Sequence, residues 1–309
     1  MRKLTYVTAL IVLLLTGCSR EEGIMENKGE LVTLNYNVSL VDGVQSRNGG
    51  NSTVAANRLA CAVYEMTIGE NGEKYFSWKK TEFAIKNDNQ SFTYSPQLFN
   101  NVNYKIVFWA YYQGGDLQNP TVCYDLRDFS AIKANDKYTI VGNAEREAFT
   151  STDEIINGVS RKEGLVVLSR PYSQVNVLST KNDYNNAVNL GKRPTACEIT
   201  LVGFSNTYNA LKGEWVENAT STPIVLSSSI PDYSNSTEET VPYASEYVFG
   251  YGTGICVVQI KAGNEVIYNL DGEGIPSFPL GINQRINLSN GNLLTGGSVN
   301  YTITVSPNF

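Results

Sequence analysis

The sequence predicts an all-β fold arranged as two β-sandwich domains in tandem, and three observations carry that expectation. Apolar and polar residues alternate in short runs along most of the chain, which is the period of a strand with one buried face. Turn residues punctuate those runs, as Asn71-Gly72 does between "RLACAVYEM" and "KYFSWKKTEFAI". Helical period is almost absent: only "GNAEREAFTSTDEI" and "KNDYNNAVNLG" suggest short helix. Strands this short and numerous close into sandwiches or barrels.

The N-terminus has its own logic. Arg2 and Lys3 precede an apolar run from Leu4 to Leu15, too short for a bilayer span, which takes about 20 residues. It has the length of a signal-peptide core. The run ends in Leu15-Thr16-Gly17-Cys18, which resembles the lipobox of bacterial lipoproteins, where the chain is cut before a cysteine that is then acylated. Residues 1–17 are therefore expected to be a signal peptide and Cys18 the lipidation site, which places the precursor on an outer membrane. Residues 18–30 are polar and charged, as suits a tether. Glu21 and Glu22, close behind the cysteine, resemble a surface-export signal.

From Leu31 the alternation begins. "LVTLNYNVSLV" puts Val32, Leu34, Tyr36, Val38 and Leu40 on one face and Thr33, Asn35, Asn37 and Ser39 on the other. "NYKIVFWAYY" reads as a strand buried on both faces. A polar, turn-rich stretch, "STDEIINGVSRKEG", suggests a division near residue 165, giving domains 31–164 and 165–309. Pro171 within "LVVLSRPYSQVNVLS" calls for an edge or a bend. "CEITLVGF", "EYVFGYGTGICVVQI", "EVIYNLD" and "SVNYTITV" continue the series.

Several chemistries are disfavoured. The chain has no histidine, which removes imidazole acid–base work and His-dependent triads. Cys61, Cys123, Cys197 and Cys256 match no zinc or disulfide spacing. The net charge of −6 speaks against nucleic acid. The glycines of "GYGTG" are followed by strand-forming "ICVVQI" and not by a helix, so a hairpin or bulge explains them better than a phosphate loop. Asp153-Glu154 and Glu238-Glu239 are adjacent acids in apparent loops, where solvated charge is the expected role. No catalytic residues, cofactor or metal site are expected, and the protein is not expected to be an enzyme.

Two strands at opposite ends of the chain are more informative. "LNYNVSL" (34–40) and "VNYTITV" (299–305) are ribbons of similar length and pattern, the second with Val299, Tyr301, Ile303 and Val305 on one face. Either could fill the same groove of a sheet. Directly after the first lies "VDGVQSRNGGNSTVAAN", rich in Gly, Asn and Ser and holding Arg47, the kind of segment that proteases cut. Cutting there would release the anchor and the first strand, leaving an acceptor for a strand from another chain.

Taken in order, the lipobox at Cys18, "NYKIVFWAY", "EREAF", "LVVLSRPYSQVNVLST" and "FPLGINQRINLSNGNLLTGGSVNYTITV" resemble the fimbrillin-like proteins, subunits of type V pili, over nearly the full length of the chain. The resemblance implies two transthyretin-like β-sandwich domains, export as a lipoprotein, cleavage after an arginine by a trypsin-like protease, and polymerisation with other fimbrial subunits by strand exchange. It makes Arg47 the candidate cleavage site, with Arg58 a second arginine within reach. Residues 31–41 become the removed strand and 298–307 the candidate donor. The chain continues only to Phe309, so two arrangements stand open: that strand is exchanged, or it is a fixed part of the C-terminal domain of a tip or cap subunit. A glycan-binding surface lipoprotein using exposed aromatics is the rival reading. Cys18→Ala is expected to abolish incorporation of labelled fatty acid, and undiminished labelling of the variant would refute the lipobox assignment.

Overall fold

The computed structural model describes residues 28–40, 56–87, 91–115, 120–134, 147–202, 207–216, 223–249, 252–270, 277–290, 293–294 and 302–307. Among these the regular structure is strand apart from one helix, Lys181–Asn189, whose first turn is capped by the Thr180 hydroxyl accepting the Asp183 N–H at 3.1 Å. No described helix is long and apolar enough to cross a membrane. The helix falls in "KNDYNNAVNLG", as the sequence suggests. The other expected helix is a strand: Ala148–Ile155 pairs along its whole length with Tyr104–Tyr111. Its alternation puts Ala148 and Phe149 into two different apolar clusters, and Thr150, Thr152 and Ile155 are β-branched residues that suit a pleated surface.

The two halves of the chain repeat one topology. In the first half, strand Asn35–Leu40 lies between Glu163–Leu168, which runs parallel to it, and Ser91–Tyr94, which runs antiparallel. Short strand Ile85–Lys86 flanks Ser91–Tyr94. A second sheet has the order Lys74–Phe83, Arg58–Ile68, Tyr104–Tyr111, Ala148–Ile155. In the second half, Ser173–Thr180 likewise lies between a parallel strand, Gln284–Ser289, and an antiparallel one, Thr240–Val248. Its companion sheet runs Ile224–Ser229, Ala196–Val202, Gly252–Ala262, Glu265–Leu270. Strand for strand across these sheets, each half therefore sets a strand from its beginning beside a parallel strand from its end. Beyond this repeat, Thr302–Pro307 pairs antiparallel with the outer edge of Gln284–Ser289, and Ser277–Leu280 pairs antiparallel with the start of Gly252–Ala262.

Each half encloses its own core. Leu34, Tyr36, Val38, Phe92, Ile106, Phe108, Val166 and Leu168 come from both sheets of the first half and meet in one cluster. Val175, Val177, Ile199, Tyr243, Ile260, Ile286 and Leu288 do the same in the second. The expected boundary at 164/165 is corrected by this arrangement. It falls inside Glu163–Leu168, whose Val166 and Leu168 belong to the first core, so the chain changes core between Leu168 and Val175. Pro171 sits in the bend that makes the change.

A third cluster joins the halves. "FWAYY" is buried on both faces, as expected: Phe108 and Ala110 face the first core, while Trp109 and Tyr111 face this junction. Trp109 meets Tyr124 edge-on at 5.4 Å and Tyr208 at 5.9 Å, and Tyr208 stacks on Phe249 at 5.8 Å. A small sheet draws Tyr124–Asp125 and Ile132–Ala134 from one half, and Thr207–Asn209 and Glu214–Trp215 from the other. Arg170 and Glu147, both fully enclosed, pair at 3.2 Å beside it. Burial raises the Glu147 carboxyl above its usual value, against the pull of Arg170.

Two predictions follow from this packing. Trp109→Ala removes the central ring of the junction and is expected to cost about 3–5 kcal/mol of unfolding free energy in urea titration. Glu154 is held below the usual carboxylate range by a hydrogen bond from Lys74, then by Lys105. A carboxyl lowered in the folded state contributes stability that is complete above its unfolded value and is lost as the pH falls below about 4.5. Glu154→Gln should therefore flatten the acid limb of a stability–pH curve. At neutral pH it should cost about 1–3 kcal/mol, because Lys105 is left nearly buried without its carboxylate.

Candidate functional site

The site is the slot that holds the first strand. Among the strands of its sheet Asn35–Leu40 is first in sequence yet internal, and both of its edges are hydrogen-bonded. Asn35 faces Glu163 and Leu40 faces Leu168 on one flank; Tyr36 faces Tyr94 and Val38 faces Phe92 on the other. The Leu34 N–H donates to the Pro96 carbonyl at 3.1 Å and the Asn35 N–H to the Lys162 carbonyl at 2.9 Å. Inward-facing Leu34, Tyr36, Val38 and Leu40 are at most 2% exposed, so all four bury essentially their whole side chains. At about 2 kcal/mol each, that burial is worth roughly 8 kcal/mol, comparable with the entire stability of an ordinary domain. Outward-facing Asn35 and Asn37 are exposed.

The expected row of five core-facing residues needs one correction. Val32 is only half-buried and belongs to a separate short strand, Leu31–Thr33, which pairs with Gln97–Phe99. The backbone changes sheet at Leu34, where the Pro96 carbonyl takes over as partner. Upstream, Lys28 pairs with Glu65 at 2.9 Å, and the Asn100 N–H donates to the Glu30 carbonyl at 2.9 Å. The segment 28–40 is thus seated along its length.

Within the slot Tyr36 has a socket of its own. Its ring meets Phe108 edge-on at 5.2 Å and stacks on Tyr94 at 6.3 Å. Its hydroxyl donates to Asp153 at 2.6 Å, Arg161 donates to the same carboxylate, and the guanidinium carbon lies 6.0 Å from the ring centre. Burial, reinforced by the bond to Asp153, pushes the Tyr36 phenol far above its usual value, so it remains a donor at any physiological pH. Opposite Tyr36 on the parallel strand stands Gly164. A Cβ there would lie 2.5 Å from two atoms of the tyrosine ring, so any other residue at 164 collides with it. Asp153 was expected to be a solvated loop charge; it lies on strand Ala148–Ile155 and faces into this socket. Glu154, expected likewise, pairs with Lys74 and Lys105. Glu238 and Glu239 are exposed, as read from the sequence.

The remaining candidates fall as follows. Cys18 and Arg47 lie outside the described residues, as do Val299 and Tyr301. Arg58 opens strand Arg58–Ile68 opposite Tyr111, next to Asn57, which is bound to Tyr111 and Gln113; a protease would have to unpeel the sheet to reach it. Ile303 opposes Leu288 and packs half-buried on the second core, while Val305 opposes Ile286 but remains 37% exposed. Cys61, Cys123 and Cys197 are buried and form no disulfide among the described residues. Trp78 and Phe83, each 60% exposed, share a face of edge strand Lys74–Phe83, opposite Tyr64 and Ala60, while Tyr75 projects from the other face.

A family model described as a family of unknown function (DUF6562) matches residues 26–309, and the chain belongs to that family. No curated protein matches it. Among solved structures it is similar to a protein of Bacteroides ovatus described provisionally as a cell adhesion protein, at 14% identity and TM-score 0.46, covering 90% of this chain and 96% of that one. A protein of Bacteroides uniformis with the same provisional description matches at 10% identity and TM-score 0.46, covering 89% and 97%. A fimbrial assembly protein of Parabacteroides distasonis matches at 10% identity and TM-score 0.42, covering 90% and 96%.

Substitutions in the socket give graded expectations for the uncut chain. Tyr36→Phe should cost about 1 kcal/mol, the worth of one hydrogen bond. Gly164→Ala should cost about 1–3 kcal/mol through overpacking against the ring. Chemical denaturation of the two variants beside the parent checks both values.

Proposed function

We propose that this chain is a structural subunit of a cell-surface fimbria, built from two transthyretin-like β-sandwich domains and exported as a lipoprotein precursor anchored at Cys18. Cleavage after Arg47 frees the subunit from its anchor, and the subunits polymerise by strand exchange. The observation that carries this reading is the position of Asn35–Leu40. It is the first strand of its sheet, paired on both sides and with its inward-facing side chains fully buried, and a single cut between Leu40 and Ala56 severs it from the rest of the chain. Its departure leaves two rows of unpaired backbone groups and an apolar trough, which only another strand satisfies.

The donor that fits is residues 298–307 of a neighbouring subunit. At home its described part, Thr302–Pro307, pairs with one strand among the described residues, Gln284–Ser289, with Ile303 half-buried and Val305 exposed. In the slot the corresponding positions are those of Val38 and Leu40, which are enclosed. The transfer therefore gains a second ladder and additional apolar burial, which drives assembly without a catalyst or cofactor. The partners are other fimbrial subunits, a trypsin-like arginine-specific protease and, before cleavage, an outer membrane.

One observation favours the rival reading of a glycan-binding surface protein: the exposed pair Trp78 and Phe83 on one rigid face offers a stacking platform for sugar rings. Mild trypsin treatment of the folded protein is expected to cut first at Arg47 and to yield a product that forms ladders on a gel. A product that stays monomeric overturns the fimbrial reading. Glycan binding lost in Trp78→Ala, with no ladders formed, supports the rival.

A further inference from the structure

Beyond the choice of strand lies the question of how a donor finds its register. Alternating ribbons are prone to slip by two residues, since each such slip keeps the same face inward. Along the slot three of the four inward positions, those of Leu34, Val38 and Leu40, are aliphatic and would accept one another's side chains. The fourth is different. Gly164 opens a gap under the ring, Phe108 and Tyr94 wall it, and Asp153 with Arg161 at its end receives a hydroxyl. An aliphatic side chain placed there leaves the gap unfilled, and a tyrosine placed elsewhere meets no acceptor.

The two ribbons coincide at this point. Aligned as "LNYNVSL" and "VNYTITV", each has tyrosine third, preceded by asparagine, and aliphatic residues at positions one, five and seven. We infer that the Tyr36 socket is a register key for assembly: the entering strand of a second copy of this chain seats Tyr301 over Gly164, with its hydroxyl on Asp153 and its ring beside Arg161. Val299, Ile303 and Val305 then take the places of Leu34, Val38 and Leu40, and the donor runs parallel to Glu163–Leu168 as the lost strand did. This rests on the strand-exchange reading above and adds to it a residue that fixes the alignment. The socket explains why a glycine stands second in the strand "EGLVVL", directly before four aliphatic residues, and why a carboxylate faces the rim of an apolar core.

Disulfide cross-linking in ladders of the cleaved protein reads the register directly. Thr93 opposes Asn37 on the flank away from Glu163–Leu168, and Thr302 takes the Asn37 position when Tyr301 is keyed. Asn37→Cys with Thr93→Cys in the uncut precursor sets the reference yield. Thr93→Cys paired with Thr302→Cys should cross-link between subunits at a comparable yield. Thr93→Cys paired with Asn300→Cys or Thr304→Cys should give at least tenfold less. Adding Tyr301→Ala should spread the cross-links over all three positions while ladders persist. Equal yields at the three positions, or a pattern unchanged by Tyr301→Ala, overturn the register key and leave strand exchange standing. Failure of the cleaved protein with native Tyr301 to form ladders overturns both.

Discussion

Pairing on both edges is what ties Asn35–Leu40 to everything else in the first half of the molecule. A strand at the edge of a sheet can leave at the cost of one ladder; an internal strand leaves two rows of unpaired groups behind it. Here the internal strand is also the first in sequence of its sheet, and its parallel neighbour, Glu163–Leu168, is the last of that half. The first core therefore closes only when the two ends of a segment of more than 120 residues come together, a pairing of high sequence separation. The second half repeats the arrangement with Ser173–Thr180, but that strand is tied into the chain on both sides. Only the first half has an internal strand that a single nearby cut detaches.

The packing of the rest of the structure does not depend on that strand beyond the first core. The strands of the sheet Arg58–Ile68 and Tyr104–Tyr111 are buried on both faces, and only one face looks at the slot. The other builds the junction around Trp109, Tyr208 and Phe249, to which Asn35–Leu40 contributes no side chain. Two halves held by aromatic packing around Trp109, Tyr208 and Phe249 can remain joined while one sheet stands open. The proposed function calls for that property, because the two halves must stay joined while the slot changes its strand.

Much of this was legible in the sequence because alternation is a direct image of burial. "LNYNVSL" alternates in the sequence as it does in the sheet, and "FWAYY" declares a strand covered on both faces. What the sequence could not reveal came from neighbours far along the chain. "STDEI" has the composition of a loop, and only its pairing with Tyr104–Tyr111 and the bond from Tyr36, 117 residues away, make Asp153 part of a socket. Gly164 read as a turn residue near a boundary, since nothing local marks a glycine that makes room for a ring on another strand. The division at 164/165 was misplaced for the same reason: Glu163–Leu168 follows a polar stretch, but its partner is the first strand of the preceding half. Val32 was drawn into the buried row by its parity, while the change of sheet at Leu34 depends on the carbonyl of Pro96.

If the slot is the assembly site, its own strand must compete for it. The most direct measurement adds a synthetic peptide of residues 31–41 to freshly cleaved subunit from which the first strand has been removed, then follows ladder formation on a gel. Occupation of the slot predicts that excess peptide suppresses ladders in proportion to the amount bound. Peptide that binds while ladders form at an undiminished rate would show that subunits join elsewhere and contradict the assignment of the slot.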